Sequence, residues 1–131
     1  MHKYSIFLDD ERNPSDVTWI ILDKIEWTII RNYYDFVKII EKNGLPEIIS
    51  FDHDLGPVAF QKALGISIRP FNKIQEEEKT GYDCAKWIID YCDKNNLQLP
   101  KYTVHSMNFI GKQNIITLLE RYKEWKQITS K

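Results

Sequence analysis

Short apolar runs recur along the chain, and three of them lead into ionisable side chains. The predicted strands at 4–8, 47–52 and 102–105 end at Asp-Asp-Glu-Arg, Asp-His-Asp and His-Ser, respectively. A fourth run, 27–31, ends at Arg31. Apolar runs of this length between turn signals are typical of strands in a parallel sheet that is buried on both faces. Ligands of open α/β sheets bind beyond the carboxyl ends of such strands, so the pattern predicts a site where the polar ends meet.

The segments between these runs show the spacing of amphipathic helices. One helix is predicted at 33–43, with Asn32 as its cap and Gly44 as its end. A second opens at the capping box of 80–83 and continues to about residue 95, and a third follows 108–111. The predicted inward side chains are Tyr33, Phe36, Val37, Ile40, Cys84, Ala85, Ile88, Cys92, Ile115, Leu118, Leu119, Tyr122 and Trp125.

Alternating strands and helices predict the α/β class, as a three-layer doubly wound sandwich of about four parallel strands in the order 2-1-3-4. A length of 131 residues suits a single domain, 1–131. Two segments stay open. Residues 15–25 fit either a short helix capped by Ser15 or an extended segment, which we favour. Residues 57–80 fit either a solvated insertion with a short helix or a lid-like loop over the site.

Composition excludes some classes of function. The chain is 43% hydrophobic and 28% charged with a formal charge of -1, so an extended nucleic-acid surface is not expected. Cys84 and Cys92 lie about 12 Å apart along one predicted helix, too far for a disulfide. Free thiols, the lack of a signal-peptide pattern and the lack of an apolar run of about 20 residues lead us to expect a cytoplasmic protein without a membrane span.

The acidic strand ends suggest a metal site. In the order 2-1-3-4 the first and third strands are neighbours, so Asp9, Asp10 and Asp52 would lie close together, with Asp54 nearby. Carboxylates at that distance repel one another unless a cation joins them. Oxygen ligands with water suit Mg²⁺ or Mn²⁺, whereas the usual zinc spacing of Cys and His is missing. The alternative is a solvated acidic edge without an ion.

The candidate catalytic residues are His105, His53 and Asp52. Imidazole titrates near neutrality and can move a proton at a phosphoester. Either histidine could instead be structural, and strand alternation could turn His53 away from Asp52 and Asp54.

A phosphate could be bound by cations and N–H groups on the same side of the sheet. The candidates are Arg12 and Arg31 at strand ends, and Ser106 and Lys112 near the start of the last helix, where free N–H groups attract anions. Such a set fits a phosphate-bearing ligand better than a carbohydrate.

Four motifs in this order resemble one family: Leu8–Pro14, Phe51–Gly56, Gly81–Asp83 and Val104–Asn108. The chain is similar to the cyclic-phosphate-processing receiver-like domains of bacterial and phage proteins. The resemblance implies a receiver-like fold and a role in binding or processing cyclic phosphates, as in RNA-end repair or nucleotide signalling.

The same resemblance implies individual roles. Asp9 and Asp10 match the metal-binding acids of a receiver, Asp52 matches its phosphoacceptor, and His105-Ser106 falls where a receiver has its switch hydroxyl. The chain departs from ordinary receivers in its Asp-His-Asp sequence and in the lack of a fifth strand with its lysine.

Three functional hypotheses follow. The leading one is a metal-assisted phosphoesterase acting on a small phosphate-bearing ligand, such as a cyclic nucleotide or an RNA 2′,3′-cyclic phosphate end. The second is a module that sequesters a nucleotide signal without cleaving it, with residues 57–80 closing over the ligand. The third and weakest is a phosphoacceptor receiver that uses Asp52.

Overall fold

A computed structural model describes residues 3–55 and 79–129 of the chain. The described strands are β1 (Ser5–Leu8), β2 (Thr28–Ile30), β3 (Ile48–Phe51) and β4 (Lys101–Val104). They form one parallel sheet in the order β2-β1-β3-β4. The predicted α/β class, strand direction and strand order are therefore confirmed. The lid-like loop predicted at 57–80 lies almost entirely outside the described residues.

Within residues 3–55 and 79–129, three α-helices connect or follow the strands: α1 (Tyr33–Asn43), α2 (Gly81–Lys94) and α3 (Phe109–Thr129). Asn32 caps α1 by accepting a hydrogen bond from the Asp35 N–H, and Gly44 ends it with a φ of 83°. Thr80 and Asp83 form the predicted capping box of α2. Among these helices, none combines the length and apolar character needed to cross a lipid bilayer.

Strand alternation divides the sheet into two different faces. One face carries the strand residues of the hydrophobic core, and the buried residues of all three helices belong to the same core. These core residues are Ile6, Leu8, Ile30, Phe36, Ile40, Ile49, Phe51, Leu55, Cys84, Ala85, Ile88, Cys92, Val104, Ile115, Leu119 and Tyr122. On the opposite face, Phe7 and Ser50 are fully buried, and Trp27 packs its ring edge-on against Phe7.

The segment between β1 and β2 forms no α-helix and no paired strand. Only Pro14–Asp16 is helical, as a single 3₁₀ turn, and no helix or strand follows until β2 begins. Its apolar side chains do not share one inward stripe, because Val17 is buried whereas Ile21 is 98% exposed. Tertiary contacts, and not local periodicity, determine the path of this segment.

Candidate functional site

The register of the sheet brings three polar residues together. Leu8 pairs with Phe51, and Phe51 pairs with Val104, so the residues that follow them lie side by side. These are Asp9, Asp52 and His105, all buried, with one ligand atom of each within 4.8 Å of the others. Ladder hydrogen bonds continue through them, since the Asp52 N–H donates to the Leu8 carbonyl and the His105 N–H donates to the Phe51 carbonyl.

The imidazole of His105 is fully buried and both of its nitrogens are paired. Nε2 lies 3.0 Å from Oδ2 of Asp9, and Nδ1 lies 2.7 Å from Oγ of Ser50. The ring stacks on Phe7 with centroids 4.4 Å apart. Because Nε2 faces a carboxylate, it carries a proton, and His105 holds Asp9 in place. The predicted proton transfer from His105 to a ligand has no free ring nitrogen in this arrangement.

Asp9 receives hydrogen bonds on both carboxylate oxygens. Its Oδ1 accepts from the N–H groups of Glu11 at 3.0 Å and Arg12 at 2.8 Å, and its Oδ2 accepts from His105. Burial by itself raises the pKa of Asp9, but the hydrogen bond from His105 and the two backbone N–H groups outweigh that effect and lower it. Asp9 is therefore ionised at neutral pH.

Asp52 has fewer donors and a different protonation behaviour. Its Oδ1 accepts from the His53 N–H at 2.9 Å, and the Ser106 hydroxyl also bonds its carboxyl group. Burial, followed by the negative charge of Asp9, raises the pKa of Asp52 to about 7. The site thus holds one ionised acid beside a second acid that titrates near neutrality.

His53 forms a second pair beside this cluster. Its Nδ1 lies 2.8 Å from Oδ1 of Asp54, and no described residue pairs with its Nε2. The Asn108 amide also donates to the Asp54 carboxylate, at 3.3 Å and 3.4 Å. Asp54 therefore orients the His53 ring in the way that a carboxylate orients a general base.

Two glycines allow the close packing around these residues. A Cβ at Gly81 would lie 1.7 Å from the carbonyl oxygen of Asp52, and a Cβ at Gly111 would lie 2.4 Å from the ring of His53. The Gly81 N–H donates to the His53 carbonyl at 2.7 Å. The start of α2 and the first turn of α3 thus contact the backbone and side chain of the strand end directly.

The four predicted phosphate-binding residues have different environments. Arg31 donates to the carbonyls of Asp9 at 3.1 Å and Arg12 at 2.8 Å, so its guanidinium fixes the loop after β1. Arg12 is partly exposed and lies 3.7 Å from Oδ2 of Asp9. The Lys112 ammonium pairs with no acid among the described residues, and the Ser106 hydroxyl contacts Asp52.

The donor set of the cluster suits a hard divalent cation. Two carboxylates this close repel one another when both are ionised, and a cation between them removes the repulsion. Carboxylate oxygens with water are the ligands that Mg²⁺ and Mn²⁺ prefer. Of the other two predicted ligands, Asp10 is half-buried in the loop after β1 and Asp54 is paired as described above. Neither belongs to the cluster in the part of the chain that the structure describes.

Sequence reasoning did not identify Ser50, Trp19 or the packing role of the two glycines. Ser50 is a polar residue inside an otherwise apolar strand, which is a signal that could have indicated a buried partner. Trp19 donates from Nε1 to the His105 carbonyl at 2.7 Å, and no local pattern predicts that contact.

Comparison with known protein families identifies the family of the chain. The model of the cyclic-phosphate processing receiver domain matches residues 4–121, which is most of the chain. Comparison of the chain with curated proteins and with solved structures found no significant match. The match includes the three strand ends of the cluster, all of α2 and the part of α3 up to residue 121. The chain therefore belongs to the cyclic-phosphate processing receiver domain family.

Proposed function

We propose that the protein is a metal-assisted phosphoesterase that opens a cyclic phosphate. The observation that carries this proposal is the buried convergence of Asp9, Asp52 and His105 at the carboxyl ends of three parallel strands. Membership of a family linked to cyclic-phosphate processing supports the class of ligand.

Asp9 and Asp52 are the residues that would hold a Mg²⁺ or Mn²⁺ ion. Such an ion, when bound, polarises phosphoryl oxygens and lowers the pKa of water. His105, itself held by Ser50, fixes the orientation of the Asp9 carboxylate. In this proposal His105 is a positioning residue.

His53 is the candidate for proton transfer, because Asp54 orients its ring and its Nε2 has no partner among the described residues. In the reaction, a water oxygen forms a bond to phosphorus as the bond from phosphorus to one ring oxygen breaks. His53 takes the proton of the water and returns a proton to the ring oxygen that leaves. The product is a phosphate monoester with a free hydroxyl. Arg12, 3.7 Å from Asp9, and Lys112, in the first turn of α3, are the cations proposed to bind the phosphate.

The test is hydrolysis of 2′,3′-cyclic and 3′,5′-cyclic nucleotides with Mg²⁺, Mn²⁺ or EDTA, followed by ³¹P NMR. We expect hydrolysis with a divalent ion, and a loss of about 10²- to 10⁴-fold in His53→Gln. Asp52→Asn should also be inactive, whereas Asp90→Asn, which alters an exposed acid on α2, should retain full activity. Absence of hydrolysis for every nucleotide, or equal rates in all variants, would contradict the proposal.

A second candidate function, sequestration of a nucleotide, is favoured by one observation. His105 is fully buried and both of its ring nitrogens are paired, so it holds the site rigid and has no nitrogen free to transfer a proton to a ligand. Calorimetry with stoichiometric binding, and recovery of the ligand intact in the presence of a divalent ion, would favour this function over hydrolysis.

A further inference from the structure

Three large apolar side chains are exposed shortly after His105 and Ser106, the site residues that follow β4. Met107 is 65% exposed, and Phe109 and Ile110 are each 72% exposed. We call these three residues the apolar rim. Exposed apolar side chains concentrated in one short segment beside a polar site are typical of a surface on which a partner or ligand binds.

The apolar rim is held next to the site by contacts on both sides of it in the sequence. Asn108 donates from its amide to the Asp54 carboxylate, and Gly111 packs against the ring of His53. Phe109 and Ile110 lie between these two anchors. The first turn of α3 therefore has a fixed position relative to the cluster of acids.

Arg12 and Trp19 connect the rim to the acids. The Arg12 guanidinium lies 5.1 Å from the centroid of the Trp19 ring, and its Nη2 lies 3.5 Å from Sδ of Met107. Its Nη1 lies 3.7 Å from Oδ2 of Asp9. Trp19 is 37% exposed and is fixed by its hydrogen bond to the His105 carbonyl. The Arg12 guanidinium thus contacts the Trp19 ring, Met107 and the Asp9 carboxylate at the same time.

We propose that the apolar rim, together with Trp19, binds the nucleobase of the ligand whose phosphate lies at Asp9 and Asp52. This inference rests on the proposed function and narrows its substrate class to base-bearing nucleotides. A base has a flat apolar face that stacks on aromatic side chains, which a sugar phosphate lacks. Arg12 contacts both Met107 of the apolar rim and Asp9. This arrangement favours a nucleobase over a second copy of the chain, because a single nucleotide can place its base on the rim and its phosphate at the acids.

The test compares ligands with and without a base. Adenosine 2′,3′-cyclic phosphate and the base-free methyl riboside 2′,3′-cyclic phosphate are titrated into ¹⁵N-labelled protein and followed by ¹H–¹⁵N NMR. We expect the adenosine ligand to shift the amide resonances of the rim and to bind more tightly. Phe109→Ser and Ile110→Ser should each weaken adenosine binding on the order of tenfold, and leave binding of the base-free ligand unchanged.

Ile128→Ser is the matched control, because Ile128 is equally exposed at the other end of α3. It should leave both affinities unchanged. Equal affinity for the two ligands, or no effect of the rim variants, would overturn the inference while leaving cyclic-phosphate processing intact. Rim resonances that shift with protein concentration alone would indicate a second copy as the occupant and would also overturn it.

Titration with adenosine, which has no phosphate, separates this inference from the proposed function. If no cyclic phosphate is hydrolysed but adenosine shifts the rim resonances, the proposed function fails and the base-binding surface stands. If cyclic phosphates are hydrolysed and adenosine causes no shift at the rim, the base-binding surface fails and the proposed function stands.

Discussion

Asp9 and Asp52 are buried at the ends of neighbouring strands, and their surroundings move their pKa values in opposite directions. The number of donors explains the difference. Asp9 accepts hydrogen bonds from His105 and from two backbone N–H groups, which outweigh the effect of burial. Asp52 accepts fewer hydrogen bonds and faces the negative charge of Asp9. The effect of burial is therefore not offset, and the pKa of Asp52 rises.

Folding stability should fall as the pH rises towards neutrality in the absence of a divalent ion. The pKa of Asp52 is about 7 in the folded protein, against an ordinary value of 3.8 for an aspartate in an unfolded chain. Between these values the folded state binds more protons than the unfolded chain, so the free energy of unfolding decreases with pH. We expect wild type to lose up to roughly 4 kcal/mol relative to Asp52→Asn across this interval. Urea unfolding in EDTA measures it, and a pH-independent difference would contradict the raised pKa.

Mg²⁺ or Mn²⁺ should stabilise the folded protein. An ion that binds only the folded state raises the free energy of unfolding by about 2.7 kcal/mol at a concentration of 100 times its Kd. We expect a rise in Tm by scanning calorimetry that EDTA reverses and that Asp52→Asn abolishes. The control variant Asp90→Asn should respond like wild type. An equal rise in Tm for Asp52→Asn and Asp90→Asn would show that the ion binds at a site other than Asp9 and Asp52.

Removal of the Ser50 hydroxyl should destabilise the protein, although the substitution removes only one oxygen atom. Ser50→Ala leaves Nδ1 of the fully buried His105 without its partner. An unpaired buried polar group costs about 1–3 kcal/mol. Ser15→Ala changes an exposed serine and should stay within about 0.5 kcal/mol of wild type in urea unfolding. Equal stability of the two variants would show that the bond to His105 contributes nothing.

Two glycine substitutions should have different costs for different reasons. Gly81→Ala would place a Cβ 1.7 Å from the backbone oxygen of Asp52, which cannot move without shifting the strand end. We expect a loss of about 3 kcal/mol or more. Gly44→Ala meets no atom within 4 Å but keeps a φ of 83°, so we expect about 1 kcal/mol. Thermal unfolding of both variants tests this order, and a larger loss in Gly44→Ala would contradict it.

The local sequence pattern was sufficient to predict the sheet and the convergence of the polar residues that follow its strands. The turn signals on either side of each apolar run delimit the strands, and the capping residues Asn32 and Thr80 mark where α1 and α2 begin. Right-handed connections then leave few orders for four parallel strands. Asp9, Asp52 and His105 converge because each directly follows one of these strands.

The remaining features depend on contacts between distant segments. Arg31 has the same local setting as a phosphate-binding arginine, yet its partners are carbonyls of the loop after β1. His105 resembles an exposed strand-end histidine in sequence, but Phe7 and Ser50 enclose it. The path of 17–27 depends on how Trp19 and Trp27 pack on the sheet, which periodicity does not encode.

The register of β1, β3 and β4 determines both the packing of the hydrophobic core and the positions of the site residues. A slip of β3 by one residue would place His53 or Phe51 beside Asp9 and would turn Ile49 and Phe51 away from the helices. The loss of that apolar burial would destabilise the slipped sheet before any ligand is bound. The apolar side chains on the opposite face of these strands therefore fix the register that aligns Asp9 with Asp52. A mutation that loosens the packing of the core should also displace these two carboxylates relative to one another.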